Sequence, residues 1–301
     1  MSRALVIGAH GQDGTLLTSF LKAREWEVDG IGKEDLDLGR FDPVKAVLAR
    51  GYQHIYYLAA FHHSSQDSAV PSDRELYQKS SEVHVTGLIN VLEGVRSVSP
   101  DSRIFYAASS LIFGSPTQEP QNEDTPFAPL CIYGITKTTG IHLCRFYREK
   151  HGVFASSGIL FNHESPLRQR KFVIPKIIHS AIAISSGSPE KLHLGDLSAR
   201  VDWGYAPDYV EAMHRILCLD QPEDFVIASG ETHSVQEVVA IVFHALGLDW
   251  RDHVLESPSI LTRQRTALRG DSSKLHKATG WKPTVGFKQM ILDLLETAQN
   301  G

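Results

Sequence analysis

The sequence predicts an α/β fold: a Rossmann-type, doubly wound parallel sheet with a smaller C-terminal substrate-binding lobe. Three observations predict it. Short apolar runs alternate with amphipathic stretches of helical period over the first 160 residues, the signature of parallel strands joined by crossover helices. Those runs are apolar throughout, as strands covered on both faces must be. A glycine triplet also follows the first run directly and opens the first helical stretch.

In chain order, residues 4–7 read as the first strand, 15–24 as a helix and 27–31 as the second strand. Residues 43–50 read as a helix with Pro43 at its start, where a missing N–H costs little. A third strand at 54–59, a helix at 84–95, a strand at 103–107, a helix at 136–150 and a strand at 153–160 follow. The polar, Pro-containing segment 64–75 reads as a loop. Beyond residue 162 the pattern changes. Polar loops at 162–171 and 195–202 separate helices at 173–185, 207–219, 235–246 and 287–298, with a lone strand at 225–228.

Composition narrows the function. The 301 residues suffice for a large core, and the formal charge of -5 offers no basic surface for nucleic acid. Three cysteines without paired spacing argue against a disulfide framework or a zinc site, and the 15 histidines show no ligand spacing, so no metal is expected. No apolar stretch approaches the roughly 18–20 residues that span a bilayer. The N-terminal run leads straight into glycines and reads as a strand, not a signal peptide. A soluble, cytoplasmic protein is the expectation.

The glycines are Gly8-Ala9-His10-Gly11-Gln12-Asp13-Gly14. In a strand–turn–helix setting such glycines permit a tight turn and let the backbone approach a diphosphate, which the helix N-terminus then faces with free N–H groups. This points to a dinucleotide site formed by Gly8, His10, Gly11, Gln12, Asp13 and Gly14. NAD sites usually carry a carboxylate near the end of the second strand to hold the ribose hydroxyls. Here that place holds Gly32 and Lys33, which favours NADP(H), with Lys33 near a 2′-phosphate and NAD(H) as the alternative. Asp35, Asp37 and Leu38 lie at the adenosine end, and Ala59 and Ala60 follow the third strand. The expected division is an NAD(P)-binding Rossmann domain at 1–161 and a mainly substrate-binding lobe at 162–301, interleaved with returning Rossmann elements near 200–230.

Tyr133 and Lys137 are four residues apart, on one face of a helix. Ser109 and Ser110 follow a strand whose carboxyl end belongs to the catalytic edge of such a sheet. A neighbouring ammonium is expected to pull a tyrosine below its usual value near pH 10, making the phenol a usable proton donor or acceptor. Ser109 would hydrogen-bond the reacting oxygen. Cys131 has no basic partner in sequence and is not read as a nucleophile. The helix at 84–95 is apolar on one face and reads as core.

Together these features resemble the extended short-chain dehydrogenase/reductases, and within them the GDP-mannose 4,6-dehydratase family. The likeness covers nearly the whole chain. It is carried by Gly11-Gln12-Asp13-Gly14, Leu160-Phe161-Asn162-His163-Glu164-Ser165-Pro166, Arg200-Val201-Asp202-Trp203-Gly204, Pro207-Asp208-Tyr209-Val210-Glu211-Ala212-Met213, Asp224-Phe225-Val226-Ile227-Ala228-Ser229-Gly230 and Trp281-Lys282-Pro283. The resemblance implies a nucleotide-sugar substrate, GDP-linked, and a triad of Ser109, Tyr133 and Lys137. It places Asn162 and Arg200 on the substrate diphosphate, with Arg263 or Arg265 as a second phosphate or ribose contact. His63, with His62, Ser110 and Leu111 would line the sugar pocket. It also implies a homodimer or higher homo-oligomer, built as a four-helix bundle from the helices at 84–95 and 136–150.

One departure matters. Dehydratases of this kind carry a Glu two residues after the triad's Ser or Thr, and this sequence reads Ser109-Ser110-Leu111. Leu111 cannot accept a proton, so dehydration lacks its base. GDP-fucose synthases carry a Cys at that place and a His at the place of Phe172, so both epimerisation groups are missing too. What remains is hydride transfer at a carbonyl: reduction of a 4-keto nucleotide sugar. A 4-epimerase that retains its cofactor, and a non-catalytic cofactor sensor, are the rival readings.

Overall fold

A computed structural model describes residues 2–61, 71–257 and 267–300 of the chain. Its strands are β1 (Arg3–Ile7), β2 (Glu27–Ile31), β3 (His54–Tyr57), β4 (Arg103–Ala107), β5 (Phe154–Leu160), β6 (Asn162–Glu164), β7 (Leu192–Leu194), β8 (Arg200–Tyr205), β9 (Asp224–Ile227), β10 (Thr232–Ser234) and β11 (Val254–Glu256). Its helices are α1 (Gln12–Lys22), α2 (Phe41–Leu48), α3 (Asp73–Ser81), α4 (Leu88–Val98), α5 (Ile132–His151), α6 (Val173–Ser185), α7 (Ala206–Leu217), α8 (Val235–Ala245), α9 (Ser273–Thr279) and α10 (Phe287–Asn300).

Six parallel strands form the central sheet in the order β2-β1-β3-β4-β5-β9. The chain leaves β1 in one direction to reach β2 and in the other to reach β3. Ligands of such sheets bind in the crevice beyond the carboxyl ends of the strands at that reversal. The pleat sends alternate side chains to opposite faces. Leu5, Ile7, Ile55 and Tyr57 meet Val44 of α2, Leu88 and Val91 of α4 and Ile141 of α5. Ala4, Val6, Tyr56 and Phe105 meet Leu17 and Leu21 of α1 and Tyr209 and Met213 of α7. Each such fully buried aliphatic side chain contributes about 1.5–3 kcal/mol.

The C-terminal lobe has its own core, built from Ile174, Ile177 and Ile178 of α6, Val238, Val242 and Phe243 of α8, Ile291 and Leu294 of α10, and Trp203. Two small sheets complete it, β10-β8-β6 and β11-β7. Residues 162–164 and 200–202 are strand, not loop: β6 pairs in parallel with β8, Asn162 opposite Trp203. The strand over 224–227 is not alone but is the sixth strand of the main sheet. Residues 73–75 of the expected loop open α3, where Ser72 and Glu75 form a capping box.

The helix expected at 84–95 begins at Asp73 and runs to Val98 through a π-turn at Glu82–Gly87. Tyr57 from β3 donates its hydroxyl proton to the Val83 carbonyl inside that turn. A side chain inserted into the helical ladder is one of the few causes that widen or kink a helix. Among the described residues no helix is long and apolar enough to cross a membrane.

Candidate functional site

The glycine turn sits at the reversal point. Gly8 adopts φ +94°, and its N–H and that of Ala9 bond the Ile31 carbonyl at 2.8 and 3.1 Å. A Cβ on Gly8 would lie 2.7 Å from the Ala59 backbone nitrogen, and one on Gly14 would lie 2.2 Å from the Gly8 carbonyl oxygen. Chain packing therefore requires both glycines. Gly11 is different. It caps α1 in an extended conformation without a side-chain cap, and a Cβ there would meet only the Gly8 oxygen, at 3.4 Å. The chain's own packing does not demand a glycine at 11. Its absent side chain leaves open the approach to the N-terminus of α1, which is what a diphosphate needs.

Beyond β2, the His10 ring covers Gly32, where a Cβ would fall 2.2 Å from Nδ1. Lys33 is exposed. Asp35 accepts the Gly32 N–H at 2.7 Å and Asp37 the Gly39 N–H at 2.9 Å, so both carboxylates already serve their own turns. Leu38 packs against the core and its carbonyl accepts from Asn90, 2.8 Å away. Ala59 and Ala60 follow β3 beside Gly8.

The side chains of Gln12 and Asp13 bond the segment of β6 rather than standing free at the turn. His163 Nε2 is 3.0 Å from both Asp13 carboxylate oxygens, and its Nδ1 is 2.7 Å from the Phe161 carbonyl. Gln12 donates to the His163 carbonyl at 3.2 Å and accepts from the Ser165 hydroxyl at 2.9 Å. Burial alone would raise Asp13, but the His163 charge and hydrogen bond outweigh it and hold the carboxyl below its usual value. Burial would lower His163, and Asp13 reverses that in the same way.

The chemistry-bearing side chains gather where β4 ends and α5 begins. Ser109 caps the short turn Ser110–Ile112 and accepts the Leu111 N–H at 3.3 Å. Ser110 is buried and Leu111 half-buried. Gly134 lets α5 settle against that turn, since a Cβ there would lie 2.6 Å from the Leu111 carbonyl oxygen. Lys137 is fully buried, donates to the Ala107 carbonyl at 2.7 Å and lies 5.7 Å from the Tyr133 ring centre. Burial lowers Lys137 to about 7, with Asp13 opposing. Tyr133 does not follow the expected direction. Burial pushes its hydroxyl above the ordinary phenol value, with Arg168 pulling back and Asp13 adding to the rise. Desolvation of the phenolate outweighs the nearby cations. Tyr133 therefore keeps its proton at neutral pH and stands as a donor.

Two residues here escape a reading by sequence pattern. His84 is not simply core. Its Nε2 accepts the Phe61 N–H at 3.0 Å, which leaves Nδ1 protonated to donate to Thr136 at 2.8 Å, and its ring meets that of Tyr133 edge-on at 5.2 Å. It ties the segment after β3 to the turn of α5 between Tyr133 and Lys137. Arg168 lies over the Phe172 ring at 3.7 Å and acts electrostatically on both Tyr133 and Asp13.

Other expected positions divide. Asn162 opens β6 beside β8. Arg200 is exposed, and its guanidinium holds Thr232 and Glu237 of the lobe. Buried Asp202, two residues on, gathers the N–H groups of Ser229, Gly230 and Gly270 at 2.9, 3.1 and 3.1 Å. His62, His63, Arg263 and Arg265 lie outside the described residues. Among the described residues no group of His, Cys, Asp and Glu could hold a metal.

Solved structures share this architecture. The RMD protein of Pseudomonas aeruginosa, complexed with NADPH, matches with a TM-score of 0.87 at 21% identity, over 100% of both chains. The dTDP-glucose 4,6-dehydratase of Bacillus anthracis, in complex with NAD, matches at 0.85 and 17%, over 100% of this chain and 97% of that one. In sequence, GDP-mannose 4,6 dehydratase 2 of Arabidopsis thaliana is 36% identical across 96% of this chain and 84% of its own length. The human GDP-mannose 4,6 dehydratase is 33% identical across 97% and 90%. The family model described as GDP-mannose 4,6 dehydratase matches residues 35–294. With the Rossmann sheet, the glycine turn and near-complete coverage in agreement, this chain belongs to the GDP-mannose 4,6-dehydratase family of extended short-chain dehydrogenase/reductases.

Proposed function

We propose that this chain is an NADP(H)-dependent reductase of a 4-keto nucleotide sugar, with a GDP-4-keto-6-deoxy sugar as substrate. One observation carries the reading. The turn Ser109-Ser110-Leu111 keeps the oxyanion-binding serine but has a hydrocarbon where the dehydratases it resembles have a proton-abstracting carboxylate. A leucine cannot remove a C5 proton. The other epimerisation position is Phe172, covered by the Arg168 guanidinium.

The open face of Gly11 and the uncapped N-terminus of α1 fit a dinucleotide diphosphate. Asp35 and Asp37 are engaged with backbone N–H groups, and Lys33 is exposed beside them, which favours a 2′-phosphate over bare ribose hydroxyls. When bound, NADPH supplies the hydride that reduces C4. Tyr133, kept protonated by burial, gives its proton to the forming alkoxide. Ser109 donates a hydrogen bond to the same oxygen as charge develops. Lys137, anchored on the Ala107 carbonyl, holds the nicotinamide ribose and stabilises the phenolate left on Tyr133. Asn162 and Arg200 are assigned to the substrate diphosphate, Arg200 releasing Thr232 to reach it. The reading includes a homodimer through α4 and α5. Ile135 and Phe146 are exposed and eleven residues apart, so they share one face of α5.

The test is an assay of reduced-cofactor absorbance. NADPH is expected to be consumed one-to-one with a GDP-4-keto-6-deoxy sugar and not with GDP-mannose. Conversion of GDP-mannose to a keto-deoxy product without net cofactor use would refute the proposal.

A further inference from the structure

Asp13 presents a physical problem. It lies in the first turn of α1, beside the N–H groups read above as the diphosphate site. A bare carboxylate there would occupy the positive end of the helix and repel a phosphate anion. The structure compensates it. His163 faces the Phe161 carbonyl with Nδ1 and both Asp13 oxygens with Nε2. A carbonyl only accepts, and so does a carboxylate, so the ring donates at both nitrogens and is an imidazolium. Gln12 also donates to Asp13, at 3.2 Å.

The same group is a mechanical joint. His163 belongs to β6, which pairs with β8 of the lobe. Its ring stacks on Tyr209 at 4.4 Å and 25°. Gly204 of β8 makes room for that tyrosine, since a Cβ there would lie 2.3 Å from the ring. Gln12 bonds both the His163 carbonyl and Ser165. The opening turn of α1 and the segment 161–165 are thus held in register by side chains about 150 positions apart.

We propose that the Asp13–His163 pair is a charge-compensated latch: His163 cancels the carboxylate beside the dinucleotide diphosphate and locks the glycine turn to β6, so that cofactor and nucleotide-sugar binding favour each other. Both are positioning residues and touch no reacting atom. The inference rests on the site being one for a dinucleotide and a GDP-sugar. Arg168, Glu164 and Lys137 are the other charged groups acting on the pair. They remain unchanged in the variants below.

The test is a fluorescence titration of NADPH with and without saturating GDP, on wild type, His163→Gln and Asp13→Asn/His163→Gln. In wild type GDP is expected to tighten NADPH at least about fivefold, the lower end of ordinary coupling between sites. His163→Gln leaves Asp13 uncompensated, so NADPH affinity falls about tenfold or more, one factor of ten per 1.4 kcal/mol. The double variant removes the offending charge. It is expected to regain NADPH affinity to within a few-fold of wild type while the effect of GDP stays lost. A purely structural role would make the double variant no better than the single one, and that outcome overturns the latch. So does undiminished coupling in either variant, or a GDP effect below about twofold in wild type. If His163→Gln does not fold by circular dichroism, the double variant, which buries no unpaired charge, decides through its coupling alone. Wild-type protein that binds no NADPH overturns the site reading and the latch with it.

Discussion

Gly11→Ala separates a glycine kept for a ligand from glycines kept for the fold. Gly11 has φ -77° and ψ 171°, a conformation open to any residue, and a Cβ would meet one oxygen at 3.4 Å. Removing glycine's freedom in the unfolded chain stabilises by about 0.4–1 kcal/mol. Alanine is a poorer N-cap than glycine by a comparable amount, roughly 0.5–1 kcal/mol. The two offset, so the melting temperature should move by no more than about 2–4 °C. Binding should respond very differently. A methyl between the turn and the diphosphate breaks at least two charged hydrogen bonds at about 1.5–3 kcal/mol each. NADPH affinity should then fall about 100-fold or more. Gly14→Ala is the contrast, because its Cβ would lie 2.2, 2.6 and 2.8 Å from backbone atoms of residues 8 and 9, so stability and binding should fail together. The assay pairs thermal melting with NADPH fluorescence titration. Gly11→Ala protein that melts like wild type and binds NADPH as tightly sinks the reasoning.

Tyr133→Phe removes the only proton the mechanism delivers while leaving the ring against His84; the rate should fall about 10²–10⁴-fold with NADPH affinity kept. A loss under threefold would remove Tyr133 as the acid. Lys137 has its folded value depressed from 10.5 to about 7 by burial. The unfolded chain therefore holds the extra proton between those values, the cost of burying the ammonium is present in full below pH 7, and stability rises with pH across the window. Urea unfolding should show wild type gaining on Lys137→Met as pH rises from about 7 towards 10. A difference that is flat or shrinks would mean the ammonium is not destabilised by burial.

What the sequence disclosed follows from range. Helices with an apolar stripe and strands covered on both faces carry a local pattern, and the central sheet was legible for that reason. Strands β6, β7, β10 and β11 have three residues each. Three residues cannot display a period, and such strands exist only because a partner strand is in place. The glycine turn and the Tyr133–Lys137 spacing are local too, and the structure brings them to one edge of the sheet. The role of His84 is not local. In sequence His84 opens a helical stretch with one apolar face and so reads as core, while its hydrogen-bond partners come from the segment after β3 and from α5. The Tyr133 shift escaped for a similar reason: spacing shows the ammonium, but only the fold shows how little water reaches the phenol.

The dispersed strings that carry the family likeness turn out to be neighbours. Gln12 and Asp13 hold His163, His163 stacks on Tyr209, Tyr209 fills the space left by Gly204, and Trp281 meets Tyr209 edge-on while donating to the Asp208 carbonyl at 2.8 Å. Five of the six strings, all but Asp224–Gly230, supply contacts of one continuous chain, so a change in any one disturbs the next. Position 111 stands apart from it. Its N–H is held by Ser109 and its carbonyl by the packing of Gly134, and neither restraint uses the side chain. A glutamate or a leucine can therefore occupy the same backbone without disturbing the network. On the reading proposed above, the family scaffold is retained while the side chain at 111 is the one that distinguishes proton removal from hydride transfer alone.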